Sequence, residues 1–167
     1  MSSEDVLAVV NLLKASHCTV WIDGGWGVDA LLGRQTRPHL DLDLAIALAD
    51  VATAQNVLLR LLGYAVFQDE MPTRLDLRDN TDHRIDFHPL SFDDHGNGRQ
   101  QLPDGAWGLY PAAGLAGIGF VNGQKVRCLS PGLQLQFHLG YEPDEDDRRD
   151  VAMLCQHFGL AVPDRYR

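Results

Sequence analysis

The stretch Arg37-Pro38-His39-Leu40-Asp41-Leu42-Asp43-Leu44-Ala45-Ile46 decides how the rest of the chain is read. Residues 40–48 alternate as a strand, whose successive side chains point to opposite faces. Asp41 and Asp43 therefore share one face, and Leu42, Leu44, Ile46 and Leu48 pack on the other. Two carboxylates held close on a rigid strand repel each other. A dication resolves the repulsion, and Mg²⁺ favours a few carboxylates together with substrate phosphates. The competing reading is a surface strand that simply alternates acids with apolar residues.

Two neighbouring segments bear on that choice. Upstream, a short strand from Thr19 to Ile22 runs into Asp23-Gly24-Gly25, and a helix from Trp26 to Leu32 follows, stopping at Gly33. A helix N-terminus offers free N–H groups and a positive dipole end, and glycine lets a phosphate approach the backbone. A tight strand-to-helix turn that needs glycine is the plain alternative. Downstream, Arg84-Ile85-Asp86-Phe87-His88 puts Arg84, Asp86 and His88 on one face. An acid within a buried strand is costly unless it meets a metal or an arginine. Gly25-x-Gly27-x-x-Ala30 also fits a loose dinucleotide-binding fingerprint. The chain beyond residue 64 lacks the strand–helix alternation that such a module requires.

Further out, Val6, Val9, Val10 and Leu13 form the stripe of a first helix that Ser2 or Ser3 can cap. Val51 to Leu62 reads as a second long helix ending at Gly63. Tyr64–Asp69, Thr73–Arg78 and His83–His88 read as strands, and residues 89–114 as mostly loop. Ile118–Val121 and Lys125–Leu129 form a hairpin around Asn122-Gly123. Helices follow at Leu133–His138 and from near Asp146. The expectation is an α+β fold, a mixed β-sheet with flanking helices, in a single domain spanning 1–167. With 45% apolar and 22% charged residues, the chain can build an ordinary globular core. Three scattered cysteines give neither a disulfide framework nor a zinc spacing. Fourteen Lys and Arg against 23 acids, a net charge of -9, disfavour a nucleic-acid partner and welcome a cationic small substrate. No apolar run reaches the ~18 residues of a spanning helix, so no membrane association and a cytoplasmic location are expected.

Taken together, Gly24-Gly25-Trp26-Gly27-Val28-Asp29, the Asp41/Asp43 segment and Ile85-Asp86 resemble the polymerase-β-like nucleotidyltransferases that inactivate antibiotics. The resemblance to the small lincosamide nucleotidyltransferases is closer still. It extends through Met71-Pro72-Thr73-Arg74, Ile85-Asp86-Phe87-His88-Pro89, Asp93-Asp94-His95-Gly96, Phe137-His138-Leu139-Gly140-Tyr141, and Asp147 with Asp150. The aminoglycoside adenylyltransferases share the first three motifs and not the later ones. Pro38 and Leu40 depart from the more polar residues expected there, and residues 143–149 are more charged than expected.

The resemblance implies that a substrate hydroxyl attacks the α-phosphate of a nucleoside triphosphate and pyrophosphate departs. Asp41, Asp43 and Asp86 would hold two Mg²⁺ ions, with Asp86 alternatively taking the hydroxyl's proton. Gly24, Gly25, Arg37 and His39 are the candidates for the nucleotide. His88, Tyr141, Asp147 and Asp150 are the candidates for an antibiotic acceptor. Arg34 and Arg74 are further phosphate candidates, and Trp107 and Tyr110 either line a pocket or cap the core. A homodimer with the active site near the interface is expected. Acceptors other than a lincosamide, namely an aminoglycoside, a metabolite or a protein, are the alternatives within the same chemistry.

Overall fold

A computed structural model describes all 167 residues. Helix α1 (Ser3–Ala15) starts at Ser2, which forms a capping box with Asp5, and it buries Val6, Val9, Val10 and Leu13. After β1 (Val20–Ile22) come α2 (Gly24–Leu32), β2 (Asp41–Ala47) and α3 (Val51–Leu61). Three strands follow in sequence: β3 (Ala65–Glu70), β4 (Arg74–Arg78) and β5 (Arg84–Phe92). Beyond them lie β6 (Gly98–Gln101), β7 (Trp107–Tyr110), β8 (Gly117–Val121), β9 (Gln124–Cys128), α4 (Pro131–Phe137) and α5 (Glu145–Phe158). Asn122 and Gly123, both at positive φ, make the β8–β9 turn, as that dipeptide predicts.

The strands form one mixed sheet in the order β3-β4-β5-β2-β1-β9-β8, with β6 and β7 continuing from the end of β5. β2 is central. It pairs in parallel with β5 and antiparallel with β1. Its apolar face, Leu42, Leu44 and Ile46, is fully buried with the stripe of α1 and with Ile85 and Phe87 of β5. A smaller cluster, including Ala45, Leu90, Tyr110 and Leu133, packs separately from it. All three cysteines are buried and unpaired. No helix is long and apolar enough to cross a membrane.

One expectation fails. Residues 89–114 are a continuation of β5 and the β6–β7 hairpin, not mostly loop. Pro89 and the local glycines suggested a break. Pro89 nonetheless sits in register opposite Ile46. Gly98 lies within β6 because a Cβ there would stand 3.0 Å from Leu90 and 3.3 Å from the Tyr110 Cβ. That glycine serves packing rather than a turn.

Candidate active site

The sheet register assembles the acids. Asp43 of β2 lies opposite Asp86 of β5, and Asp86 lies opposite Asp76 of β4, so three carboxylates stand in a row across three strands. His88, two residues along β5, brings its Nε2 to 3.5 Å from Asp43 and 4.0 Å from Asp86. One ligand atom from each of Asp43, Asp86 and His88 falls within 4.8 Å of the others. Asp41 shares the face of Asp43 at the exposed start of β2 and stands outside that cluster.

Asp43 and Asp86 lie close enough to share a dication, which would offset the repulsion between them. Burial, then Asp76 and Asp43, push the Asp86 carboxyl up to about 7 against the pull of His88 and Arg74. Crowding by protein atoms and then Asp43 also raise Asp41. Burial opposes charge on His88, but Asp43, Asp86 and Asp23 outweigh it and push the imidazole up to about 9. Asp86 is held by Arg74, whose Nε reaches its Oδ1 at 2.8 Å and whose Nη2 reaches Oδ2 at 2.6 Å. The same Nε donates to Asp76 Oδ1 at 2.7 Å. The arginine partner expected of Asp86 is thus present, on a residue that also belongs to a group able to hold a cation.

A pH response follows with a definite sign. A carboxyl whose folded value lies near 7, well above the ~3.9 of an unfolded chain, binds its proton more tightly in the folded state. Metal-free protein is therefore expected to lose stability as pH rises from ~4 through 7, while its Mg²⁺ affinity increases over the upper part of that range. Thermal melts and Mg²⁺ titrations across that window check both slopes. A stability that rose with pH in chelator would contradict the assignment.

The Gly24 turn lies against the same acids. Asp23 caps α2 by accepting from the Gly24 N–H at 2.7 Å, and its carboxyl is raised by burial and by Asp43. Gly24 has φ +58°, and a Cβ there would run into the Asp43 carboxylate. Gln134 of α4 braces the turn from the other side, donating to the Gly24 carbonyl at 2.8 Å. Beside Gly25 lie Arg37 and His39, but both are engaged. Arg37 binds Asp150 at 3.0 Å and Asp146 at 3.4 Å. His39 is buried, 2.6 Å from Asp29, with its ring against Trp26.

A cleft of about 660 Å³ opens from this point. Its wall combines Asp23, Gly24, Asp43 and His88 with Trp107, Leu109, Tyr110, Phe137 and Tyr141. The volume suits a drug-sized ligand. Trp107 and Tyr110 are therefore both lining residues, and Tyr110 also belongs to the core. Tyr141 donates to Asp147 at 2.7 Å, and Asp147 closes the capping box of α5. Asp150 needs correction as an acceptor contact: it is 1% exposed, taken up by Arg37, and absent from the cleft wall. The sequence reading missed Asp76, Gln100 and Gln134. For Asp76 a signal existed, since Arg74-Leu75-Asp76-Leu77 alternates like the two strands already singled out.

With this geometry in place, comparison with known proteins is decisive. Residues 5–154 match the family described as aminoglycoside-2''-adenylyltransferase. The chain belongs to that family. A lincosamide resistance protein of Staphylococcus haemolyticus is 31% identical over 156 residues, covering 92% of this chain and 94% of its own. A 2''-aminoglycoside nucleotidyltransferase of Escherichia coli is 29% identical over 136 residues, covering 78% and 70%. The lincomycin-bound crystal structure of the lincosamide antibiotic adenylyltransferase LnuA superposes with a TM-score of 0.82 at 29% identity, covering 92% and 96%. ANT(2'')-Ia with adenylyl-2''-tobramycin, at 20% identity and a TM-score of 0.73 over 94% and 89%, shares the fold. This adenylyltransferase-family chain is an enzyme that transfers nucleotidyl groups, built on the α+β nucleotidyltransferase fold.

Proposed function

We propose that this enzyme transfers a nucleoside monophosphate from a nucleoside triphosphate to a hydroxyl of a lincosamide-type antibiotic. The observation that carries the proposal is the cleft itself, whose wall joins carboxylates and a glycine turn to aromatic side chains. The acceptor oxygen forms the new bond to the α-phosphorus, the bond to the β-phosphate oxygen breaks, and pyrophosphate leaves. Asp41, Asp43 and Asp86 would hold Mg²⁺, which neutralises the triphosphate and polarises the α-phosphate when bound. Gly24 and Gly25 give the phosphates access to the start of α2, with Arg37 and His39 fixing that turn from behind. Both oxygens of Asp86 meet Arg74, so Asp86 would hold charge once a cation offsets the burial and neighbouring acids that raise its carboxyl. His88 and Tyr141 line the cleft that would receive the substrates, and Asp147 and Asp150 would support them indirectly, through Tyr141 and Arg37. The setting is the cytoplasm, which supplies the triphosphate.

A polycationic aminoglycoside would call for further acids, and the cleft wall offers Asp23 and Asp43 alone beside Trp107, Leu109, Phe137 and Tyr141. Lincomycin or clindamycin is therefore expected to be modified in preference to kanamycin. Incubation with Mg²⁺, mixed nucleoside triphosphates and both drug classes, read by product mass, tests this. Modified kanamycin beside untouched lincosamides would refute it and leave the aminoglycoside activity in its place.

The working unit we propose is a homodimer. Trp107, Leu109 and Tyr141 are each at least half exposed at the cleft mouth, and a second copy would complete that wall. Light scattering is expected to give twice 18.5 kDa. A fully active sample at the monomer mass would defeat the dimer.

A further inference from the structure

Gln100, on β6, is buried and makes three polar contacts that fix its amide without ambiguity. Its Nε2 donates to the Thr73 carbonyl at 3.1 Å, and that carbonyl can only accept. The Oε1 consequently faces Tyr110, whose buried hydroxyl donates to it at 3.0 Å. The second Nε2 hydrogen is then left for His88 Nδ1, at 3.1 Å. An amide N–H aimed at Nδ1 disfavours a hydrogen there, so once a cation offsets the carboxylates that otherwise hold the ring doubly protonated, the single His88 hydrogen sits on Nε2. Nε2 is the atom facing Asp43 at 3.5 Å.

We propose that Gln100 is a positioning residue for the transfer reaction: it fixes the His88 ring so that an N–H, and not a lone pair, faces the carboxylates. His88 is then a hydrogen-bond donor to Asp43 and to phosphate oxygen arriving beside it, and it is withheld from the cation despite lying within ligand distance. The bent path Tyr110–Gln100–His88–Asp43 joins the cleft wall to the carboxylates through two hydrogen bonds and a 3.5 Å contact between His88 and Asp43. Outer partners of this kind commonly change activity by about 10–100-fold when altered. The inference rests on the nucleotidyl-transfer reading for its kinetic consequence, but its structural content stands apart from activity.

The experiment uses ¹⁵N-labelled full-length protein saturated with Mg²⁺ and a non-hydrolysable nucleoside triphosphate. Long-range ¹H–¹⁵N spectra of the histidine rings, with His88 assigned by loss of its signals in His88→Gln, report which nitrogen bears hydrogen. The expected result is a bare Nδ1 and a protonated Nε2 in the unaltered protein. Hydrogen on Nδ1 would overturn the proposal whether or not any variant folds. Gln100→Glu places an acceptor opposite Nδ1 and is expected to move hydrogen onto it. In the same variant kcat should fall about 10–100-fold with little change in the nucleotide KM. A Gln100→Glu protein with altered ring signals and undiminished kcat would overturn the positioning role. If the unaltered enzyme transferred nothing to any acceptor while His88 showed the expected ring state, the functional reading would fail and the hydrogen-bond assignment would survive.

Discussion

Asparagine at position 43 is expected to lower nucleotidyl transfer on the order of 10²–10³-fold, the range seen when one electrostatic contact to a transition state is removed. Asp43 stands where the site's parts meet. It is opposite Asp86 in the sheet, 3.5 Å from His88, and packed against the Gly24 backbone. The Asn side chain keeps the shape and loses the charge, so the fold should survive. In chelator the variant should melt slightly higher than the parent, because Asp23, Asp41 and Asp86 lose a like-charged neighbour. Asp86→Asn should also abolish most transfer, and in chelator it should lose the fall in stability between pH ~4 and 7 because the carboxyl that titrates there is gone. Steady-state rates with Mg²⁺ and melts in chelator separate the two. Near-normal turnover by Asp43→Asn would remove the metal site from this face of the sheet.

Arg37→Met is expected to destabilise the protein by about 3–5 kcal/mol, the cost of leaving a buried ion without its partner. The Arg37 side chain is 17% exposed and the Asp150 carboxylate only 1%, with three contacts between them from 3.0 to 3.4 Å. Burial already raises the Asp150 carboxyl, and Arg37 is the main group opposing that rise. The pair also anchors α5 beside Gly25, against which the Arg37 guanidinium lies. Urea unfolding measures the loss, and pairing the change with Asp150→Leu should recover part of it. A midpoint unchanged in Arg37→Met would show that the ion pair is solvated and carries little.

How legible the site was depends on how local each signal is. Asp41, Asp43 and Asp86 could be singled out because strand alternation is written into consecutive residues, and the parallel register then brought Asp43 and Asp86 together. The caps were legible for the same reason: Ser2 and the Asn122-Gly123 turn are read from a handful of adjacent residues. Arg37 and Asp150 illustrate the opposite case. Each looked free to meet a ligand, and only the docking of α5 beside α2 shows that they consume one another. Gln100 was hidden because Pro89 and the glycines masked β6 as loop, where a Gln carries no pattern to notice. Asp76 shows that one strand's alternation does not reveal which neighbouring strand it will face.

The parallel alignment of β2 and β5 would also tie a cation held there to the integrity of the chain. Asp43 and Asp86 are distant in sequence and become neighbours only when the sheet has closed around the segment between them. Unfolded polypeptide thus offers no comparable pocket, and mass action makes any ion gathered there a clamp on the native state, worth about 2.7 kcal/mol at a hundred times its dissociation constant. Cellular magnesium would then act on how long this enzyme lasts as well as on how fast it turns over, and starvation for the ion would shorten its lifetime before any drug is met.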